Sequence, residues 1–174
     1  MNIAQIKTTD VINGPGVRLT VFVSGCTNRC KGCFQPQTWD FGYGIPYTEE
    51  IEAFIMKELE KPYYRGITFL GGEPFEPCNQ SGILPLIKRI KEELPDKDIW
   101  AFTGNVYEDL LPGGKRYTKD TDAILDSIDV LVDGRFVESL KDISLRFRGS
   151  SNQRIIDMNE TRKAGEIVLA EKYQ

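Results

Sequence analysis

Three cysteines stand close together in Cys26-Thr27-Asn28-Arg29-Cys30-Lys31-Gly32-Cys33, spaced C-x3-C-x2-C, and only one other, Cys78, occurs in the chain. Thiols so placed form a ligand set. Three thiolates can hold three irons of a [4Fe-4S] cluster and leave the fourth iron without a protein ligand, open to a small molecule. Gly32 would remove a side chain where the loop comes closest to such a cubane. Zinc competes for the same residues. A structural zinc site wants four ligands drawn from cysteine and histidine, and the chain has no histidine. Zinc would therefore recruit Cys78 from far along the chain or accept a carboxylate. A disulfide would leave an odd thiol among the three and suits secreted chains. On spacing, iron-sulfur stands ahead of zinc.

The whole chain narrows the choice. Its 174 residues read as one domain, residues 1–174, long enough to bury a sizeable core without staples. A metal here is then functional rather than a folding prop. Apolar residues make up 40% and charged residues 28%, ordinary for a globular protein. The 22 basic and 26 acidic residues give net charge -4, and no basic block suggests a grip on nucleic acid. No apolar run approaches the ~20 residues that span a bilayer. The stretch from Met1 to Asp10 lacks an apolar signal core, so a cytoplasmic protein without membrane contact is expected. The missing histidine argues against hydrolase chemistry of the Ser-His or Cys-His kind.

The elements that must position the cysteines follow in order. Residues 3–13 have mixed polarity and lead into the turn Asn13-Gly14-Pro15-Gly16. Residues 17–23 are β-branched and apolar toward their end, like a strand buried on both faces, and they deliver the cysteine loop. Trp39, Phe41 and Tyr43 then form either a lid over that loop or core filling. Thr48 can cap a helix with Glu49 and Glu50 in its first turn and Ile51, Phe54, Ile55 and Leu59 on one face, ended by Pro62. A second strand, residues 66–70, ends in Gly71-Gly72-Glu73-Pro74. A helix follows around Ile83, Leu86, Ile87, Ile90 and Leu94, with Pro85 tolerable only in its first turn. Strands at 98–104 and 128–134 flank helical stretches at 107–111 and 120–127. The recurring order strand, loop, helix predicts an α/β fold: parallel strands with crossover helices, as an open sheet or partial barrel, with the special loops on one edge.

The loop Gly71-Gly72-Glu73-Pro74 shares that edge. Two glycines let its backbone approach a ligand, and Pro74 stiffens the exit. With the cysteine triad, this pattern resembles the radical S-adenosylmethionine superfamily. Within it, Asn13-Gly14-Pro15-Gly16-Val17-Arg18, Phe22-Val23-Ser24-Gly25-Cys26, Gly32-Cys33-Phe34, Thr38-Trp39, Asp129-Val130-Leu131-Val132-Asp133-Gly134 and Arg148-Gly149-Ser150-Ser151-Asn152-Gln153-Arg154 are similar to the family of anaerobic ribonucleoside-triphosphate reductase activating proteins, over residues 13–156.

That resemblance implies an incomplete β/α barrel of radical S-adenosylmethionine type. It implies Cys26, Cys30 and Cys33 as metal ligands, with the cofactor's amino and carboxylate groups on the open iron. Gly71, Gly72, Glu73 and Pro74 would receive the methionine amino end, with Gly72 the main backbone contact, and Gly32, Cys33 and Phe34 would lie near the adenine. Thr103 and Asp133 would contact the cofactor or a cation, or serve only as turn formers. Residues 148–154 would touch the partner or close the pocket, or form a plain turn. The implied partner is the glycyl-radical large subunit of the anaerobic reductase, and the implied electron donor is of the reduced-flavodoxin kind. Catalytic side chains are not required, since the cofactor carries the radical chemistry. Gln35 departs from the expected asparagine, and Arg135 from the commoner proline or lysine. Cys78 alone is too few for auxiliary clusters and reads as an inert or weakly exposed thiol. Two alternatives stay open: a small-molecule radical enzyme like the deazaguanine-forming synthases, which leaves residues 148–153 unexplained, and a structural zinc module that only binds a partner.

Overall fold

The computed structural model describes residues 1–173. Its centre is β2 (Val17–Val23), buried along almost its whole length, as a β-branched apolar run demands. β2 pairs in parallel with β4 (Tyr64–Gly71), β4 with β5 (Asp98–Phe102), and β5 with β6 (Val130–Asp133). The crossovers are α1 (Glu49–Leu59), α2 (Pro77–Glu93) and α3 (Thr121–Ser127). This is the expected parallel core. The sheet is open, with strand order β3-β1-β2-β4-β5-β6-β7. β1 (Asn2–Asp10), the short β3 (Ile45–Pro46) and β7 (Arg154–Asp157) add antiparallel flanks.

Alternation along the parallel strands builds two faces. Leu19, Val21, Val23, Ile67, Phe69, Ile99, Ala101 and Leu131 pack against Ile55, Leu59, Ile83, Ile87 and Ile90 of α1 and α2. Trp100, Val130, Val132 and Ile155 point the other way and meet Ala170 and Tyr173, with Phe102 and Phe147 beside them. The rings of Trp100 and Tyr173 lie edge to face at 5.2 Å between centroids. The chain end thus plugs one end of the second face, and the other end of that face stays open.

Some element limits depart from the sequence reading. Residues 3–13 supply a strand of nine residues, β1, whose uneven burial hides the alternation. α2 starts at Pro77, so Pro85 lies inside the helix and not in its first turn. Pro77 takes the first-turn position that suits proline, while Pro85 has no N–H to give the Ser81 carbonyl. Side chains of the early turns tie the helix to the loops around it. Asn79 Nδ2 donates to the carbonyls of Ser24 and Glu73, both at 2.9 Å, and Gln80 Nε2 to those of Phe75 at 2.9 Å and Arg116 at 2.8 Å. Residues 107–110 form only a 3₁₀ turn. α1 starts as expected, with Ile51 N–H donating to Thr48 Oγ1 at 3.5 Å, but its packed face takes Met56 with Ile55 and Leu59 and leaves Phe54 exposed. α4 (Met158–Ala164) closes the described structure's helices and ends at Gly165, whose φ of 72° is the left-handed cap geometry. No described helix is long and apolar enough to cross a membrane.

One buried charge locks the lower half of the sheet. Arg18 on β2 is fully buried; its Nε donates to Thr68 Oγ1 and its Nη2 to the Ile67 carbonyl, both at 2.7 Å. Asp98, at the start of β5, pairs with Nη2 at 2.6 Å. Three neighbouring strands are thereby tied at one point. Arg18→Ala should destabilise the fold by about 3–5 kcal/mol, because it strands these acceptors in the interior. Urea unfolding followed by circular dichroism measures it.

Candidate functional site

The parallel strands β2, β4 and β5 end on one edge, and the loops that follow them meet around a cavity of about 640 Å³. Cys26, Cys30, Cys33 and Phe34 line it from the first loop, Gly71, Gly72 and Pro74 from the second, and Thr103 from the third. Phe22, Leu70 and Phe102 line it along the open face of the sheet. Cys26 is buried, Cys30 and Cys33 are half-buried, and Cys78 is exposed on α2, outside the cavity lining. The fourth thiol a closed zinc site would need is therefore not brought to the other three.

Three residues named from the sequence sit elsewhere. Glu73 is buried and its carboxylate turns into the loops: Oε2 accepts from Asn28 Nδ2 and Gly104 N–H, both at 2.8 Å, and from Asn105 Nδ2 at 2.9 Å, while Oε1 accepts from Phe75 N–H at 3.0 Å. Burial pushes this carboxyl above its ordinary range, and the donors oppose the shift. Asp133 is also buried, paired with Arg154 and accepting from Tyr107 N–H at 2.7 Å. Gly32 has φ 71°, and a Cβ there would meet the Glu138 carboxylate 2.9 Å away. Its side-chain position faces a neighbouring segment, not the cavity. Thr103 Oγ1 accepts from Asn105 N–H and Nδ2, both at 3.1 Å.

Around this hub the cysteine loop is clamped by residues the sequence reading missed. Arg116 pairs with Glu76 at 2.6 Å, with side chains only 12% and 4% exposed. Glu76 Oε1 accepts from Thr27 N–H at 2.7 Å and from Thr27 Oγ1 at 2.6 Å, and Arg116 Nη2 donates to Thr27 Oγ1 at 2.6 Å and to Asn28 Oδ1 at 3.2 Å. Thr27 and Asn28 lie inside the cysteine motif, but these partners stand 49 and 89 residues from Thr27. No local pattern announces them.

A strap formed by residues 134–153 closes the other side. Arg135 Nη2 donates to the Asn28 carbonyl at 2.6 Å, Lys31 pairs with Glu138 at 3.3 Å, and the rings of Phe34 and Phe136 stand 5.4 Å apart. The stretch 148–153 is the strap's base. Gln153 Oε1 accepts from Gly149 N–H at 2.8 Å and Ser150 N–H at 3.1 Å, and its Nε2 donates to the Gly134 carbonyl at 3.0 Å. Arg148, Gly149 and Gln153 line the cavity, as does Gln35. Of the three aromatics after the cysteines, Trp39 borders the cavity, the Phe41 ring lies against Gly25 and Tyr43 is half-exposed, so the three do not form one common lid.

The donor set fits an iron-sulfur cubane. Among the described residues no three His, Cys, Asp or Glu side chains converge to hold a single ion; a cubane instead takes one thiolate at each of three corners, from a loop already bent by Arg29 at φ 45°. Gly72 is a glycine by necessity of packing, since a Cβ there would lie 2.5 Å from the Gly25 carbonyl oxygen and 2.9 Å from that of Thr38. Burial, with Glu73 adding repulsion, pushes the Cys26 thiol up to about 11. It is protonated in the empty protein near neutrality, so a metal taken up there would have to displace its proton.

Residues 12–156 match the family of 4Fe-4S single cluster domains. The chain is similar to anaerobic ribonucleoside-triphosphate reductase-activating proteins of Pasteurella multocida and Vibrio cholerae, each 44% identical over 88% of this chain and 95% and 96% of the relative. The protein of that description from Enterobacteria phage T4 is 36% identical, over 89% of this chain and 93% of its own.

Arg116→Ala should weaken iron retention about 10-fold by freeing the cysteine loop, measured as loss of cluster absorbance against a chelator. In the empty protein, alkylation of Cys26 should lag behind that of exposed Cys78. It should accelerate about 10-fold per pH unit from about pH 7 to 9, since only the thiolate reacts and the thiol titrates higher; mass spectrometry of the labelled peptides reads both rates.

Proposed function

The chain belongs to the family of anaerobic ribonucleoside-triphosphate reductase-activating proteins, and from that premise we propose that it leaves a glycyl radical on such a reductase by reductively cleaving S-adenosylmethionine. The observation that carries this is the meeting of three thiols and the Gly71-Gly72 turn around one cavity at the parallel strand ends. Cys26, Cys30 and Cys33 would hold a [4Fe-4S] cluster, with the fourth iron left to the cofactor's amino and carboxylate groups. When bound, the cluster supplies the electron that splits the sulfonium carbon–sulfur bond, releasing methionine and the 5′-deoxyadenosyl radical that takes hydrogen from the partner's glycine.

The chain's own work is aim and exclusion. The Gly71–Pro74 edge receives the methionine amino end through its backbone, with Gly72 as the main contact. Phe34 and the backbone of residues 32–34 border the adenine, and Thr103 borders the cofactor from the third loop. Glu73 and Asp133 act through the loops they tie. Phe22, Leu70, Phe102 and Phe147 give the cavity an apolar wall, which keeps water and stray hydrogen donors from a reactive carbon radical. No side-chain acid or base is required, in keeping with a chain that has no histidine. The same reading treats residues 1–174 as one radical S-adenosylmethionine domain, cytoplasmic, served by an external one-electron donor of the reduced-flavodoxin kind and acting on the reductase large subunit, not on nucleic acid or membrane.

Anaerobically reconstituted protein, reduced with dithionite and given S-adenosylmethionine, should release methionine and 5′-deoxyadenosine, quantified by chromatography. Cys30→Ser should abolish the products and Cys78→Ser should leave them unchanged. A colourless protein holding stoichiometric zinc, or loss of product with Cys78→Ser alone, contradicts the assignment.

A further inference from the structure

Among the residues that line the cavity, three large apolar side chains are exposed: Ile12 at 69%, Phe34 at 67% and Ile143 at 94%. A residue that lines a cavity and is itself exposed stands at its mouth. Phe34 belongs to the cysteine loop. Ile12 and Ile143 belong to no part of the site described above, and they come from stretches far apart in the chain.

Each of the two is displayed by a turn of its own. Ile12 N–H donates to Oδ1 of the buried Asp10 at 2.9 Å, and the Asn13 carbonyl accepts from Thr68 Oγ1 on β4 at 2.9 Å, so this turn is anchored on the sheet. Ile143 lies in a loop whose two sides pair at Lys141 and Ser150. Within that loop Asp142 Oδ1 accepts from Ser144 N–H at 2.8 Å and from Ser144 Oγ at 2.7 Å. Single exposed apolar residues are ordinary, but two on pinned turns at the mouth of one cavity mark a contact surface.

The chemistry of the cavity says what covers them. A hydrogen atom passes from a glycine Cα to a carbon radical only at contact, with the two carbons about 3–3.5 Å apart, and the glycine belongs to another protein. Entry through the sheet is closed, because Phe22, Leu70 and Phe102 of β2, β4 and β5 form that wall. The glycine must therefore pass the exposed mouth.

We propose that Ile12 and Ile143 receive the glycine-bearing segment of the reductase, packing on apolar side chains that flank the glycine while its bare Cα reaches into the cavity. This rests on the reading of the chain as an activase. A glycine has no side chain to hold its Cα away from the radical, and apolar neighbours gain burial against the two isoleucines. Ile12 and Ile143 then set which segment is accepted and leave the cofactor's own contacts to the cysteine and Gly-Gly loops.

The test uses reconstituted, dithionite-reduced holoprotein carrying Ile12→Asp or Ile143→Asp. In each variant the reductase concentration that gives half-maximal glycyl radical should rise about 10-fold, since a charge now stands in an apolar contact. The 5′-deoxyadenosine released without reductase should stay at the wild-type level. A benzophenone amino acid in place of Ile143 should crosslink on irradiation to the reductase peptide that holds the glycine, identified by mass spectrometry. Radical formation unchanged in both variants overturns the proposal and leaves the function intact. Equal losses of radical and of reductase-free cleavage also overturn it, because the two residues then serve the cofactor, and so does a crosslink only to a second copy of this chain. A wild-type protein that cleaves S-adenosylmethionine but puts no radical on the reductase overturns both this proposal and the reading beneath it.

Discussion

Everything at the open end of the sheet depends on one buried carboxylate. Glu73 leaves β4 and collects donors from the cysteine loop, through Asn28, and from the loop after β5, through Gly104 and Asn105. A carboxylate taken from water must be met by such donors or it takes up a proton. The consequence is geometric: three loops on three neighbouring strands cannot drift independently. Glu76 and Arg116 add a second tie beneath Thr27, so a loop whose ligands face the cavity is held from behind by charges that never enter it.

The parallel core explains why these loops meet. Right-handed crossovers carry α1, α2 and α3 over one face and return each strand in the same direction. All strand ends with special residues therefore share an edge. The opposite face is packed by Tyr173, the turn at Asn13 and the strap 134–153, and its apolar wall runs on into the cavity. An open sheet thus gives the three loops one rigid platform.

The cysteine triad and the Gly-Gly loop were legible in the sequence because each is a short pattern directly after an apolar strand. Val17–Val23 and the Thr48 cap were legible for the same local reason. What was hidden depends on distance along the chain. Glu76 and Arg116 are 40 residues apart and neither belongs to a pattern. Asn79 and Gln80 precede the helix expected from the sequence, yet both are buried in the first turns of α2, which starts at Pro77 and holds Pro85 in its interior. Glu73 and Asp133 were chosen for their place at strand ends. Their position was right, but burial turns both carboxylates toward the scaffold, a choice that only the packing of neighbouring loops decides.

The central claim is that this cavity delivers a radical to a glycine of another protein. The most direct measurement mixes reduced holoprotein, S-adenosylmethionine and an anaerobic ribonucleoside-triphosphate reductase without oxygen and records the electron paramagnetic resonance spectrum of the reductase. The account predicts a doublet from one α-hydrogen that collapses to a singlet when the reductase carries α-deuterated glycine. Methionine release with no radical on the reductase, or a radical whose shape ignores the deuterium, would contradict it.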